Sequence, residues 1–315
     1  MTFLLPLAIL NLSWDATLRN VILGSVILGM TSGAVGAFAV LRRQSLIGDA
    51  LAHAALPGIC LAFMLTGTRS TEVLLIGGAI SGLLGTAVLL IINRWSIVSM
   101  ETGLGIILSV FFGFGILLLT RIQHSGDAAQ SGLDRFIFGQ AATILPRDVV
   151  VMSVVAVIVI GVLVLTFKEL KLLTFDPLFA ASLGFNPSVT GALLAGLLVL
   201  TIMIGLQTVG VILMVSLLIA PAVAARQWTS SLSGMVILSG AFGLISGVSG
   251  SVASSLIDRL PTGPMIVIAA TIVVAFSLLF APERGVLATW QARRRRAETF
   301  RQALTTADHH GVTQR

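Results

Sequence analysis

Long apolar runs, broken by short polar turns, fill most of the chain. Runs long enough to cross a bilayer as helices, which takes roughly 20 residues, fall at about 18–40, 45–65, 71–92, 103–122, 148–167, 188–206, 209–225, 233–254 and 263–281. The seventh is short and contains Pro221, so a break is expected there. The pattern predicts an all-α polytopic membrane protein with eight or nine transmembrane helices. The apolar stretch from Met1 to Leu12 is shorter and has no basic leading region, so it reads as an interfacial segment and not a cleaved signal. The expected organisation is an interfacial segment over 1–17, a transmembrane unit over 18–285 and a basic tail over 286–315.

Composition sharpens this picture. Of 315 residues, 56% are hydrophobic and 10% charged, against roughly 25% charged in soluble domains. No room remains for a separate soluble domain. A single cysteine excludes an internal disulfide framework. The net charge is +6, and Arg293 to Arg296 supply four positive charges just past the last run. A basic cluster in that place reads as a cytoplasmic anchor of topology, not as a nucleic-acid surface. The first polar turn carries Arg42 and Arg43. Placing it in the cytoplasm gives the inner segments thirteen lysines and arginines and the outer segments six. The expected orientation is therefore N-terminus outside and C-terminus cytoplasmic.

Glycine is frequent, with 32 residues, and Gly29-xxx-Gly33, Gly78-xxx-Gly82 and Gly243-xxx-Gly247 put small residues on single helix faces. Such faces let helix backbones approach closely. They report packing and say nothing of a substrate.

The second apolar run holds the candidate chemistry. Asp49 is expensive there, by about 2.5–3.5 kcal/mol on insertion scales. Asp49 and His53 are four residues apart and share a helix face. Pro57, four residues further, deprives the His53 carbonyl of its helical donor. A carboxylate, an imidazole and a freed carbonyl on one face make a half-site for a divalent cation. The plain alternative is that Asp49 and His53 bond to each other and help helices pack. Cys60 lies seven residues past His53 and reads first as a small apolar filler. His124, His309 and His310 read as solvated. Pro221 frees the Leu217 carbonyl by the physics of Pro57.

The polar stretch 168–187 is the other informative segment. Asp176 is a good N-cap, Pro177 suits the first helical position, Gly184 suits the residue after the end, and Pro187 prevents continuation. A short helix over 177–183 is expected, with Leu178, Phe179 and Leu183 apolar. An exposed apolar helix of this kind marks a contact; its alternative is a helix lying on the membrane surface.

Several chemistries are absent. No G-x-x-x-x-G-K-[ST] phosphate loop and no H-E-x-x-H occur. Gly247-Val248-Ser249-Gly250 lacks a histidine in a later run to activate Ser249, and Asp49 lacks a second intramembrane aspartate. Any ATP used must be bound by another subunit.

Gly48-Asp49-Ala50-Leu51-Ala52-His53-Ala54 followed by Leu56-Pro57-Gly58 resembles the signature of the manganese/zinc/iron permeases of bacterial ABC importers. Phe175-Asp176-Pro177 through Ala181 and Gly184 is similar to the family's coupling helix. Val209 to Ala222, Leu260 to Pro264, and Phe280-Ala281-Pro282 extend the likeness over most of 18–285. The resemblance implies the permease subunit of an ATP-driven importer of a divalent transition metal, without enzymatic activity of its own. Asp49 and His53 would receive the ion, and Pro57 and Pro221 would break helices where access alternates. The implied cargo is manganese, zinc or iron, with no stably bound cofactor. The implied partners are ABC ATPases docking on 168–187, an extracytoplasmic metal-binding protein and a second copy of this chain. The implied location is the bacterial plasma (inner) membrane, crossed many times. A secondary carrier titrating Asp49 and His53, and a siderophore- or cobalamin-type permease, are the rival readings.

Overall fold

The computed structural model describes residues 16–44, 46–68, 70–124, 144–256, 260–282, 285–288 and 290. The expected interfacial segment up to residue 15, the arginine run with His309 and His310, and most of the stretch between His124 and Leu145 lie outside them. The described chain runs through α1 (Ala16–Leu41), α2 (Leu46–Thr66), α3 (Thr71–Trp95), α4 (Met100–His124), α5 (Pro146–Leu165), α6 (Phe167–Phe175), α7 (Pro177–Ser182), α8 (Pro187–Thr208), α9 (Val211–Trp228), α10 (Leu232–Leu256) and α11 (Thr262–Phe280). Prolines open α5, α7 and α8 at a position where the missing N–H costs no helical bond.

Eight of these helices are long and apolar enough to cross a membrane, and α9 is shorter. Eighteen residues at 1.5 Å each give about 27 Å, close to the ~30 Å hydrocarbon core. α9 nevertheless covers the depth of its neighbour α11. At one end the Val209 carbonyl lies against Gly263. At the other, Trp228 stacks on Phe276 with ring centroids 6.4 Å apart. Counted with α9, nine of the described helices run the length of the bundle. Pro221 sits inside α9 and Pro57 inside α2, and both helices continue through them. The reversal before α9 falls instead at Gly210, whose φ of 84° is open to glycine at little cost.

The stretch 168–175, expected as loop, is the helix α6. Lys168, Glu169 and Lys171 interrupt its hydropathy, yet Leu170 and Leu173 turn inward and are buried. It departs from α5 at Thr166, where the backbone leaves helical geometry for one residue.

The spans differ in burial. Within the bundle 78% of α1 and 72% of α2 is covered, but only 22% of α11. α1 and α2 are therefore central, and α11 is peripheral. Ile76, Ile80 and Leu84 on α3 stay exposed at helical spacing, as lipid-facing side chains do. α1 packs against α10 backbone to backbone. Gly29 meets the Gly243 carbonyl, Gly33 the Ser239 carbonyl, and Gly247 the Ser25 carbonyl. Along this antiparallel seam Ser239 Oγ donates to the Gly33 carbonyl at 2.6 Å, and Ser251 Oγ to Ser25 Oγ at 2.7 Å. Gly78 and Gly82 behave differently, facing the side chains of Met203 and Val199 on α8.

Candidate metal site and coupling surface

Asp49 and His53 project from the first two turns of α2. His53 Nε2 lies 3.4 Å from Asp49 Oδ1, longer than a well-formed N–H···O bond. The contact therefore does not use up the ligating capacity of either group. Asp49 keeps 34% side-chain exposure and His53 keeps 15%, so Asp49 is the more open of the two and His53 the more enclosed. The His53 ring meets the edge of Phe112 on α4, with centroids 4.5 Å apart. Its Nδ1 is buried without a hydrogen-bond partner. An unmatched buried nitrogen costs about 1–3 kcal/mol. Sequence reasoning missed Phe112, because one phenylalanine in an apolar run carries no signal of what it faces.

Pro57 loosens the same helix. The Ala54 carbonyl, one turn before it, accepts the Ser81 hydroxyl of α3 at 2.6 Å. Gly58 lets the Gly77 carbonyl of α3 come against it. Ser81 was not singled out by sequence; its only sign was a hydroxyl inside the Gly78-xxx-Gly82 face. On the other side Gly48 packs on Leu218 of α9, three residues before Pro221. The Leu217 carbonyl, which Pro221 deprives of a donor, lies 3.4 Å from the Ser32 hydroxyl of α1, which is shared with the Gly29 carbonyl at 3.3 Å. It is directed to α1 and not to Asp49 and His53.

Cys60 is buried against α4, its thiol directed at the Gly115 carbonyl at 3.8 Å. Seven residues of helix separate it from His53 by about 10 Å. Among the described residues no group of three or more His, Cys, Asp and Glu side chains is placed to hold a metal.

The second feature is α7. Asp176 caps it, its carboxylate accepting the Phe179 N–H at 2.9 Å. At the far end the Phe185 N–H reaches the Ala180 carbonyl at 3.1 Å and the Gly184 N–H the Ala181 carbonyl at 3.0 Å. This is the doubly bonded left-handed helix end, and Gly184 takes the required φ of 89°. Pro177 to Ser182 are helical, one residue short of the expected end. Ala180 is buried, whereas Phe175, Leu178, Phe179 and Leu183 stay exposed at 61%, 83%, 51% and 53%. A short rigid helix, capped at both ends, presents its apolar side chains outward. Ala181 contributes its carbonyl to the cap.

A model of the ABC 3 transport family matches residues 15–281. The zinc transport system membrane protein TroC of Treponema pallidum is 55% identical over 289 residues, covering 91% of this chain and 97% of that protein. The manganese transport system membrane protein MntC of Bacillus subtilis is 47% identical over 268 residues, 85% of this chain and 62% of its own length. Among solved structures, PsaBC from Streptococcus pneumoniae in complex with Fab superposes with a TM-score of 0.77. It shares 31% identity, over 89% of this chain and 97% of the other.

Proposed function

The chain belongs to the ABC 3 transport family, and from that premise we propose that it is the membrane-spanning permease subunit of an ATP-driven importer of divalent transition metal ions, with Asp49 and His53 as the transient ion site. It is a multi-pass membrane protein of a bacterial metal-transport family, and its relatives are named for zinc and for manganese. A donor set of one carboxylate and one imidazole accepts manganese, iron or zinc alike.

The observation that carries the site is the Asp49–His53 pair itself. Two ligands each about 2.1 Å from a shared ion at a tetrahedral angle stand about 3.4 Å apart, which is the separation here. A resident metal site locks the second imidazole nitrogen with an outer hydrogen bond. Nδ1 of His53 has none, and two ligands leave most of the coordination sphere to water or to a second copy of the chain. Both features suit passage and not storage.

ATP would be bound by partner ATPases seated on α7 and its flanks within 168–187, and the ion delivered by an extracytoplasmic binding protein. The apolar outward face of α7 supports the first of these. ATPase closure would move α7 and, through α6 and α8, the helices around Asp49. Pro57 and Pro221 mark the points in α2 and α9 where backbone hydrogen bonds are already missing. The thirteen-to-six charge asymmetry supports an outside N-terminus and a cytoplasmic α7.

Uptake of radiolabelled manganese or zinc by proteoliposomes holding permease, ATPase and binding protein tests this reading. It requires uptake with ATP and none without. Uptake driven by a proton gradient alone would favour the secondary carrier.

A further inference from the structure

α1 ends in a turn that fixes Arg42 in an unusual setting. The Arg43 N–H bonds to the Val40 carbonyl at 3.1 Å and the Gln44 N–H to the Ala39 carbonyl at 2.9 Å. Arg43 holds the left-handed position, φ 56°, that glycine normally takes. The Arg42 guanidinium then lies beside α8, with Nη1 3.9 Å from where a Cβ on Gly191 would stand.

There it lines a cavity of about 230 Å³ together with Gln44, Asn93 and Ser188. Arg42 is the one charged side chain among the described lining residues. The described ion pairs, Arg147 with Glu72 and His53 with Asp49, do not include it. Burial pulls the Arg42 pKa below its usual value, as expected of a guanidinium taken out of water without a counter-charge. The first turn of α8, which also lines the cavity, contains no acidic residue, so the partial positive charge of that helix end adds to the field. Met100, the first residue of α4, lines the cavity too, with its first-turn acid Glu101 turned out to solvent.

We propose that this cavity binds a phosphate group, carried either by an anionic phospholipid headgroup or by free inorganic phosphate. A planar carboxylate would satisfy the guanidinium alone. A tetrahedral anion with several acceptor oxygens can also use the amides of Gln44 and Asn93 and the Ser188 hydroxyl, which line the same cavity, whereas the Ser188 N–H is already held by the Asn186 side chain. The cavity lies where α1, α2, α3, α4 and α8 all reach one end of the bundle, at the ends of its apolar helices. Pro177 lines it as well, so the bound anion braces the start of α7. None of this depends on the metal reading.

The test uses full-length protein in neutral detergent, stripped of lipid. It is titrated with phosphatidylglycerol in mixed micelles, read by native mass spectrometry, and separately with labelled inorganic phosphate, read by equilibrium dialysis. Arg42→Gln removes the charge. Gly191→Asp keeps Arg42 and supplies an internal counter-charge beside it, its Cβ meeting only Arg42 Nη1 at 3.9 Å, which carries the test should Arg42→Gln fail to fold. Each is expected to weaken binding about tenfold or more. Binding of phosphatidylglycerol alone assigns the lipid source, and binding of inorganic phosphate assigns the free anion. If wild type binds neither, or if folded variants bind as wild type does, the proposal is overturned.

Discussion

The Ser32 hydroxyl on α1 lies between two carbonyls, 3.4 Å from that of Leu217 on α9 and 3.3 Å from that of Gly29 on its own helix. The Leu217 carbonyl is the one Pro221 leaves without a helical donor. When its proton turns to Leu217 and not to Gly29, a serine on the central helix serves the carbonyl that a proline on its neighbour leaves open. Ser32→Ala should lower stability by about 0.5–1 kcal/mol. In a Pro221→Ala background, where the alanine N–H bonds to Leu217, the same change should cost almost nothing. Thermal unfolding of the four proteins in detergent measures the coupling. Equal costs in both backgrounds would show that Ser32 does not serve this carbonyl.

The seam between α1 and α10 makes a sharper demand. A Cβ on Gly29 would run into the Gly243 carbonyl, and backbone cannot step aside as a side chain can. Gly29→Val should cost about 3 kcal/mol, the upper end of overpacking, and sharply reduce folded protein. Gly196→Ala on α8 meets open space and should be neutral or mildly stabilising. Size-exclusion yield and melting temperature of the two variants separate the cases.

The eight long apolar helices, and the shorter α9, were legible because apolar runs of the required length are separated by charges, prolines and glycines. Asp49 and His53 were legible from a spacing of four residues inside such a run, and α7 from its two caps. α6 was not, since its lysines and glutamate mask an inward leucine pair that only α8 and α1 reveal. The missing part is register between helices. Periodicity says that Gly29 and Gly243 lie on small faces but not that they meet. Nor does it say that Phe112 stands on His53, or that Ser32 finds Leu217. Those pairings are set by packing between residues far apart in the chain.

α7 is the proposed ATPase dock. Phe179→Ala removes exposed apolar area, and Gly184→Val forces a β-branched residue to a left-handed φ at a cost of about 1–2 kcal/mol. Either variant should weaken ATPase co-purification or uncouple hydrolysis from transport, by about tenfold for a central contact. Ion binding at Asp49 should be untouched. Full assembly and coupling in both would remove this helix from the interface.

Orientation follows from the same account. Single cysteines at Ser182 and at Ser125 are predicted to label with an impermeant thiol reagent from the inside and the outside, respectively. Cys60 is buried and should give little background. Labelling of Ser182 in intact cells would reverse the topology and remove the dock from the cytoplasm.

The central claim is that Asp49 and His53 carry the ion. Asp49→Asn keeps the volume and removes the charge. His53→Ala removes the imidazole and leaves space beside Phe112. Radiolabelled manganese and zinc uptake, in cells lacking their own importer and expressing equal amounts of each permease with its partners, is the direct measurement. The account predicts that both variants assemble normally and that uptake falls by more than the roughly ten- to hundredfold typical of losing a ligand's outer support. Near-normal uptake by either variant would contradict it and return the pair to a role in helix packing.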